Sequence, residues 1–267
     1  PVPVQDIQRV NSNAGTSVMK GPELRTIFLS FDQKRDELLY SNIKGKNPFK
    51  DVRVREAFFR AINIDAIKRK VMRGLSTPSA LMISPKLFAH SNSFSRFSYD
   101  LSKATELLSE AGFPDGFTTT LKLPPPAYAR KGGEIIASQL RDVGINVEIS
   151  NLEWAQWLEE VFRGKDYGLT IVSHTEPFDI GIYARPEYYF QYDSKEFQNT
   201  INDLTAETNE DQRTSLMQKA QKIIADDYVN GYLFQRAQLS VINSKVNGMW
   251  KNSPTQATDL TSVYWEN

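Results

Sequence analysis

The chain has 267 residues, and its 32 basic and 32 acidic side chains cancel, so no net field draws it to nucleic acid or to an anionic membrane. No apolar run approaches the ~20 residues that span a bilayer, and the absence of cysteine excludes disulfides and thiolate metal sites while leaving the compartment open. A chain of this length can bury one large core or two modest ones.

From Pro22 to Gln33, the run of Leu24, Thr26, Ile27, Phe28, Leu29 and Phe31 predicts a β-strand that ends at the charged KRDE segment. Residues 34–50 are polar, carry Gly45 and Pro48, and read as a loop. Asp51 can accept hydrogen bonds from the open amides of a first helical turn, and Val54, Ala57, Phe58, Ala61 and Ile62 then recur at helical spacing. That is one apolar face on a capped helix. Asn63 or Ile64 breaks the phase, Asp65 falls in the first turn of a second helix, and Ile67 and Val71 continue a stripe until Gly74 closes it.

Thr118–Leu123 reads as a short strand, Lys131–Val143 as a helix with Ile135, Ile136, Gln139 and Leu140 along one side, and Ile145, Val147 and Ile149 as an alternating strand after the Gly144 stop. This is a βαβ unit, whose crossover is expected to be right-handed. Glu153–Phe162 reads as a helix with Trp154, Trp157, Leu158 and Val161 on one stripe, and Tyr167–Val172 as a further buried strand. Two helices come next, at about 195–206 and 209–227, the second with Leu216, Ala220, Ile223 and Ile224 on one side. The fold class is α/β.

Open α/β sheets bind ligands beyond the carboxyl ends of their strands, which directs attention to the residues after Val172. The segment Ser173–Tyr192, SHTEPFDIGIYARPEYYFQY, brings His174, Glu176 and Asp179 close together and then presents Tyr183, Tyr188, Tyr189 and Tyr192. A cleft that captures a peptide needs a carboxylate for the α-ammonium and apolar or aromatic walls for side chains. The competing reading is structural. Glu176 or Asp179 could merely cap a helix starting near Ile180, and His174, with no cysteine or second histidine nearby, reads as a hydrogen-bonding residue lining the lobe. Trp157 reads as a core knob of its helix, and of Tyr188 and Tyr189 one packs inward, since neighbours on a helix or strand cannot face the same way. No nucleophile elbow, phosphate loop, His-Glu-x-x-His or Rossmann glycine pattern occurs, and Glu176 and Asp179 lie too close on one segment to straddle a sugar. No catalysis and no cofactor are expected.

The pattern Asp-x-x-Val-Arg-x-Ala-x-x-x-Ala-Ile, carried by Asp51, Val54, Arg55, Ala57, Ala61 and Ile62, resembles the extracellular solute-binding proteins of family 5, the oligopeptide and dipeptide receptors of ABC importers. Tyr99-Asp100-x-x-Lys103-Ala104-x-x-Leu107-Leu108-x-x-Ala111-Gly112-Phe113 matches the family's next helix and its glycine stop. Gly74–Pro85 looks like the loop between them, and Asn230–Trp250 like the closing strands. The resemblance covers residues 1–267 and implies a periplasmic-binding-protein-like lobe of the type II, peptide-receptor cluster, with a mixed sheet flanked by helices. It matches what looks like the C-terminal half of bilobed proteins.

On that basis 1–33 is expected to be an inter-lobe segment with a hinge strand, 34–235 the α/β substrate-binding lobe, and 236–267 the return toward a first lobe that is missing. The start PVPVQDIQRV has no basic opening and no apolar h-region, so the chain reads as an excised part of a secreted receptor, periplasmic or membrane-anchored outside a Gram-positive cell. The resemblance also implies site roles. Glu176-Pro177 takes the place of an Asp before Pro that holds the ligand's amino terminus, with a reach longer by one methylene, and Asp179 and His174 stand beside it. Trp154, after Glu153, matches the aromatic of a Glu-Trp pair near the cleft, and Tyr183 is expected to add apolar contact. Arg55 looks like a structural ion-pair residue. Expected partners are a peptide or related small solute and the importer's membrane permease, with only peripheral contact with the membrane complex. An exposed half-cleft also favours self-association. Oligosaccharide or nickel-chelate receptors of the same family, and an interaction module without a ligand, are the alternatives.

Overall fold

The computed structural model describes residues 2–83, 98–174, 179–251 and 258–266. Its spine is β1, Thr16–Phe31. Period-two alternation sends Ile27, Leu29 and Phe31 into one hydrophobic core and Phe28 into another, so a single strand serves both faces of the sheet. Around it lie β2 (Ser76–Pro78), β3 (Phe117–Leu123), β4 (Ile145–Asn151), β5 (Leu169–His174) and β6 (Asn230–Asn243), in the order β2-β6-β1-β5-β3-β4. β1 runs antiparallel to both its neighbours, whereas β3 is parallel to β4 and β5, which makes the sheet mixed. A separate ribbon joins β7 (Val246–Asn247) to β8 (Tyr264–Trp265).

Helices cover both faces. After the short α1 (Ile7–Asn11), α2 (Val52–Ala61), α3 (Ile64–Lys70), α4 (Leu101–Glu110) and α5 (Ala127–Arg141) contribute to the core that holds Ile27, Leu29 and Phe31. α6 (Trp154–Trp157), α7 (Lys195–Ala206) and α8 (Glu210–Asp226) contribute to the core that holds Phe28. Side-chain caps start α2 and α4, the first as the sequence predicts. Asp51 accepts from the Arg53 amide at 2.9 Å, and Asp100 from the Lys103 amide at 2.9 Å. Val54, Ala57, Phe58, Ala61 and Ile62 are all buried, as their spacing requires.

The Asp51 cap has a measurable pH signature. Its carboxylate takes hydrogen bonds from the Arg53 guanidinium, the shortest at 2.6 Å, and that interaction holds its pKa below the usual carboxylate value of 3.8. The unfolded chain therefore takes up this proton first. The group's stabilisation is complete above the unfolded value and is lost as pH falls through the depressed folded one. Asp51→Asn keeps a capping oxygen but no charge, so urea midpoints measured from about pH 5 down to about pH 2 should fall less steeply for the variant than for the parent. Equal slopes would mean that the Arg53 contact contributes nothing to the acid limb.

Several elements differ from their sequence-based bounds. α5 begins at Ala127, directly after the run Pro124 to Pro126, because Pro126 fills the N-cap position and Tyr128 and Ala129 are already buried. The helix expected over Glu153–Phe162 is one α-turn followed by a π-helical stretch, Leu158–Arg163. The wider turn keeps Trp157 and Val161 on the inner face and leaves Trp154 and Leu158 outside, so the four residues do not form one stripe. β5 is shifted two residues onward and ends at His174, and β1 starts at Thr16, well before Pro22.

Arg55 is structural, but not through an ion pair among the described residues. Its side chain is buried and donates to main-chain carbonyls: Nη1 to Phe49 at 2.7 Å, Nη2 to Asp227 at 2.5 Å, and Nε to Tyr228 at 3.2 Å. It closes the end of α8 over the start of α2.

Candidate functional site

Because β3, β4 and β5 are parallel, their carboxyl ends at Leu123, Asn151 and His174 reach the same edge of the sheet. The antiparallel β1 brings Thr26 beside His174 there. β6 sets Gln235 opposite Thr26, and Arg236 opposite Ser76 of β2. Beyond this edge β1 and β6 continue together as a two-stranded ribbon, Thr16–Pro22 against Asn243–Ala237, with a register shift between Pro22 and Thr26 where they leave the sheet. Ligands of α/β sheets bind at such an edge, so its side chains are the candidate site.

His174 stands at its centre. Nδ1 lies 3.2 Å from an Asp179 carboxylate oxygen, and Nε2 lies 2.6 Å from the Tyr188 hydroxyl. A carboxylate at Nδ1 favours the proton on that nitrogen, leaving Nε2 to accept from Tyr188 when the ring is neutral. Asp179 also opens the 3-10 turn Asp179–Ala184, so it has a structural role as well as a place at the edge. The structure thus brings His174 and Asp179 together. Glu176 lies outside the described residues.

Tyr183 is not on the wall. It is 0% exposed, stacked on Phe190 at 4.7 Å, and its hydroxyl accepts from Asn230 Nδ2 at 2.7 Å and from Tyr232 at 2.9 Å. Burial raises the pKa of its phenol well above the ordinary value and keeps it neutral. The 3-10 turn that starts at Asp179 carries this ring inward, so the expectation of ligand contact by Tyr183 is corrected to a core role.

Trp154 is at the surface, 42% exposed, with its ring edge-on to Trp157 at 5.8 Å. Trp157 is the core knob that its spacing suggests: it is buried, and its indole N–H donates to Thr170 at 2.9 Å. Its ring meets Tyr189 at 5.8 Å, and Tyr189 meets Tyr188 at 5.1 Å, so Trp154 and His174 stand at two ends of one run of aromatic contacts. Tyr188 and Tyr189 both pack inward. They sit in an irregular turn, where neither helical nor strand geometry forces adjacent side chains apart.

Sequence reasoning missed two residues of this edge, Tyr128 beside Ser173 and Arg236 opposite Ser76, whereas Ser76 belongs to the small polar stretch 76–80, whose sequence fits a ligand-facing loop and a merely connecting one equally. Tyr128, in the first turn of α5, accepts the Ser173 main-chain N–H at 3.0 Å, and the Arg236 guanidinium lies over the Tyr128 ring at 5.4 Å. Applying the carboxyl-end rule to β3 as well as β5 would have found Tyr128. Arg236 has no local signal, because only the strand order brings β6 here. No group of three or more His, Cys, Asp or Glu side chains converges on a metal-sized site among the described residues.

A family described as bacterial extracellular solute-binding proteins, family 5 middle, matches residues 1–226. The dipeptide-binding protein of Escherichia coli K12 is 26% identical over 236 residues, which are 83% of this chain and 42% of that protein. The glutathione-binding protein GsiB of the same strain is 31% identical over 162 residues, 60% of this chain and 29% of that protein. The chain therefore spans less than half the length of these curated relatives. Among solved structures, the periplasmic binding protein DppA from Helicobacter pylori, in complex with the peptide STSA, aligns with a TM-score of 0.84 at 21% identity, covering 100% of this chain and 52% of that one. The oligopeptide-binding protein AppA from Bacillus subtilis, in complex with a nonapeptide, also gives 0.84, at 18% identity, over 100% of this chain and 55% of that one. At such identities the likeness establishes the fold: an α/β, periplasmic-binding-protein-like lobe whose mixed sheet is flanked by helices.

Proposed function

This chain belongs to the bacterial extracellular solute-binding proteins of family 5, and from that premise we propose that it forms one wall of a two-lobed receptor that captures a short peptide and presents it to the permease of an ABC importer. The observation that carries the reading is the Asp179 carboxylate, held by His174 at the carboxyl edge of the sheet, at one end of an aromatic run whose other end is the exposed Trp154. A carboxylate there suits a ligand ammonium, and Glu176, close by in sequence, shares that role. Trp154 offers a flat apolar surface to a side chain. In this reading 34–235 is the binding lobe, 1–33 brings in the hinge strand, and 236–267 returns toward a second lobe. Closure of the two lobes excludes water and creates the shape the permease recognises. The receptor is placed in the periplasm or at the outer cell surface, and it performs no chemistry on its solute.

The test is a thermal-shift and calorimetric comparison of the two-lobed receptor with tri-alanine, glutathione, maltotriose and a nickel chelate, repeated with Glu176→Gln and Asp179→Asn. A peptide present at a hundred times its Kd should stabilise the protein by about 2.7 kcal/mol, and each substitution should weaken peptide binding by about tenfold or more, the scale of a charge-assisted hydrogen bond. Stabilisation by the sugar or the chelate, indifferent to both substitutions, would refute peptide capture and favour a different solute within the same receptor family.

A further inference from the structure

Away from the carboxyl edge, and whatever solute is captured there, we propose that a cavity beside the β1–β6 ribbon binds a small organic dianion, a short-chain dicarboxylate, between Lys20 and Arg73. The cavity has a volume of about 580 Å³, inside the ~300–1,000 Å³ range of small-molecule sites. One wall is the chain that precedes β1, the 3-10 turn Val4–Asp6 and α1, with Lys20 of β1 beside it. The other wall is the turn after α3, with Arg73 and Leu75. Both walls are fastened to the ribbon. Asn11 Oδ1 accepts the Val18 amide at 2.9 Å and the Thr16 hydroxyl donates to the Val10 carbonyl at 2.9 Å, which ties α1 to the start of β1. The Leu75 carbonyl accepts the Ala237 amide at 3.1 Å, and Ala237 is the β6 residue opposite Pro22.

The lining points to the class of ligand. It holds two cations, Lys20 and Arg73, and no acidic residue. Neither cation forms an ion pair or a side-chain hydrogen bond among the described residues. Asp6, the acid next to the cavity in sequence, is paired with Arg9 at 3.4 Å and so does not offset them. Lys68, Arg69 and Lys70 end α3 just before Arg73, so the local field is positive although the charges of the whole chain cancel. The neutral groups agree with that sign. Asn11 spends its oxygen on Val18 and has only its NH2 group left to give, and the Gln8 amide adds further donors. Ile7 and Leu75 supply partly buried apolar surface. A simple oxyanion would fill a small part of this volume and leave that surface wet. A hydrocarbon chain with an acid at each end covers it, and it meets a cation on each wall: the Arg73 fork at one end and the Lys20 ammonium at the other.

The experiment is titration calorimetry of the full-length protein, parent, Lys20→Gln and Arg73→Gln, at about 10 mM ionic strength, where screening is weak. The probes are adipate, hexanoate and adipamide, the same carbon chain carrying two acids, one acid or none. The expected result is that adipate binds at one site, at least about fivefold more tightly than hexanoate, the scale of one exposed ion pair, and that adipamide does not bind. Each substitution should bring adipate down to the level of hexanoate, and about 0.15 M salt should weaken adipate more than hexanoate. Both side chains are exposed, so the unliganded variants should melt with the parent. Adipate binding that survives either substitution, or equal binding of adipate and hexanoate by the parent, would overturn the assignment. So would heats of the same size from sodium sulfate at matched ionic strength, which would mark a general anion effect, and so would no binding of adipate at all.

Discussion

Arg55→Met should cost about 3–5 kcal/mol of folding free energy, the scale on which buried charged hydrogen-bonding networks fail when one member is removed. Methionine fills much of the same volume, so the loss is not a cavity effect. It comes from the carbonyls of Phe49, Asp227 and Tyr228, which now accept from one buried guanidinium and would be left facing a thioether. Two of these carbonyls end α8 and the third precedes α2, so the same substitution loosens the seam between the two helical layers at the base of the lobe. Urea midpoints at constant m-value would read the loss directly. Arg53→Met on the same helix is the control: its side chain is 44% exposed and its ion pair with Asp51 lies at the surface, so its midpoint should stay much closer to the parent's. Similar midpoints for the two variants would mean that the carbonyl clamp carries little energy.

Gly116→Ala should be nearly as damaging, at about 4 kcal/mol, combining ~1–2 kcal/mol for a left-handed residue with ~1–3 kcal/mol for overpacking. Gly116 has φ +70°, and a Cβ there would stand 2.0 Å from the Gly144 carbonyl oxygen and 2.3 Å from its carbon. Neither atom belongs to a flexible side chain. The turn that starts β3 and the turn that starts β4 touch backbone to backbone, and their contact sets the two parallel strands in register from Phe117 opposite Ile145 onward. Gly45→Ala separates the two contributions, because Gly45 has a similar φ of +68° with nothing within 4 Å of a Cβ. Its cost should be only the conformational ~1–2 kcal/mol. If the two substitutions cost the same, the close approach at Gly116 is relieved by a backbone shift and contributes nothing.

The parts of the fold written in short-range chemistry were legible from the chain. α2, α4, α7 and α8 begin at Asp51, Asp100, Ser194 and Asn209, each side chain accepting from an amide two or three residues on, and glycines with positive φ follow α3, α4 and α5. Such signals are complete within a few residues. The π-helical stretch after Trp157 was not legible, since Trp154, Trp157, Leu158 and Val161 fit an α-helical stripe equally well and only packing decides between them. The partners of Arg55 at Asp227 and Tyr228 lie 172 and 173 residues away, beyond any motif. For the site, His174 and Asp179 were named together because the end of a buried strand is a local signal. Arg236 and Tyr128 escaped because their meeting depends on the order of strands in the sheet, and Tyr183 was misplaced because a 3-10 turn directs side chains differently from either periodicity used to read it.

β1 has a mechanical consequence. It supplies side chains to both cores and also continues past the edge, paired with β6, as a ribbon. A rod clamped along half its length and free along the rest bends where the clamp ends, and the register shift between Pro22 and Thr26 falls at that point. Torque applied through the ribbon would therefore be felt first level with Thr26, His174 and Gln235, the row at which the irregular part of the ladder ends. In the receptor proposed above, a solute lodged against that row would lie close to the point of bending, where a small displacement of its contacts corresponds to a large displacement of the ribbon's far end.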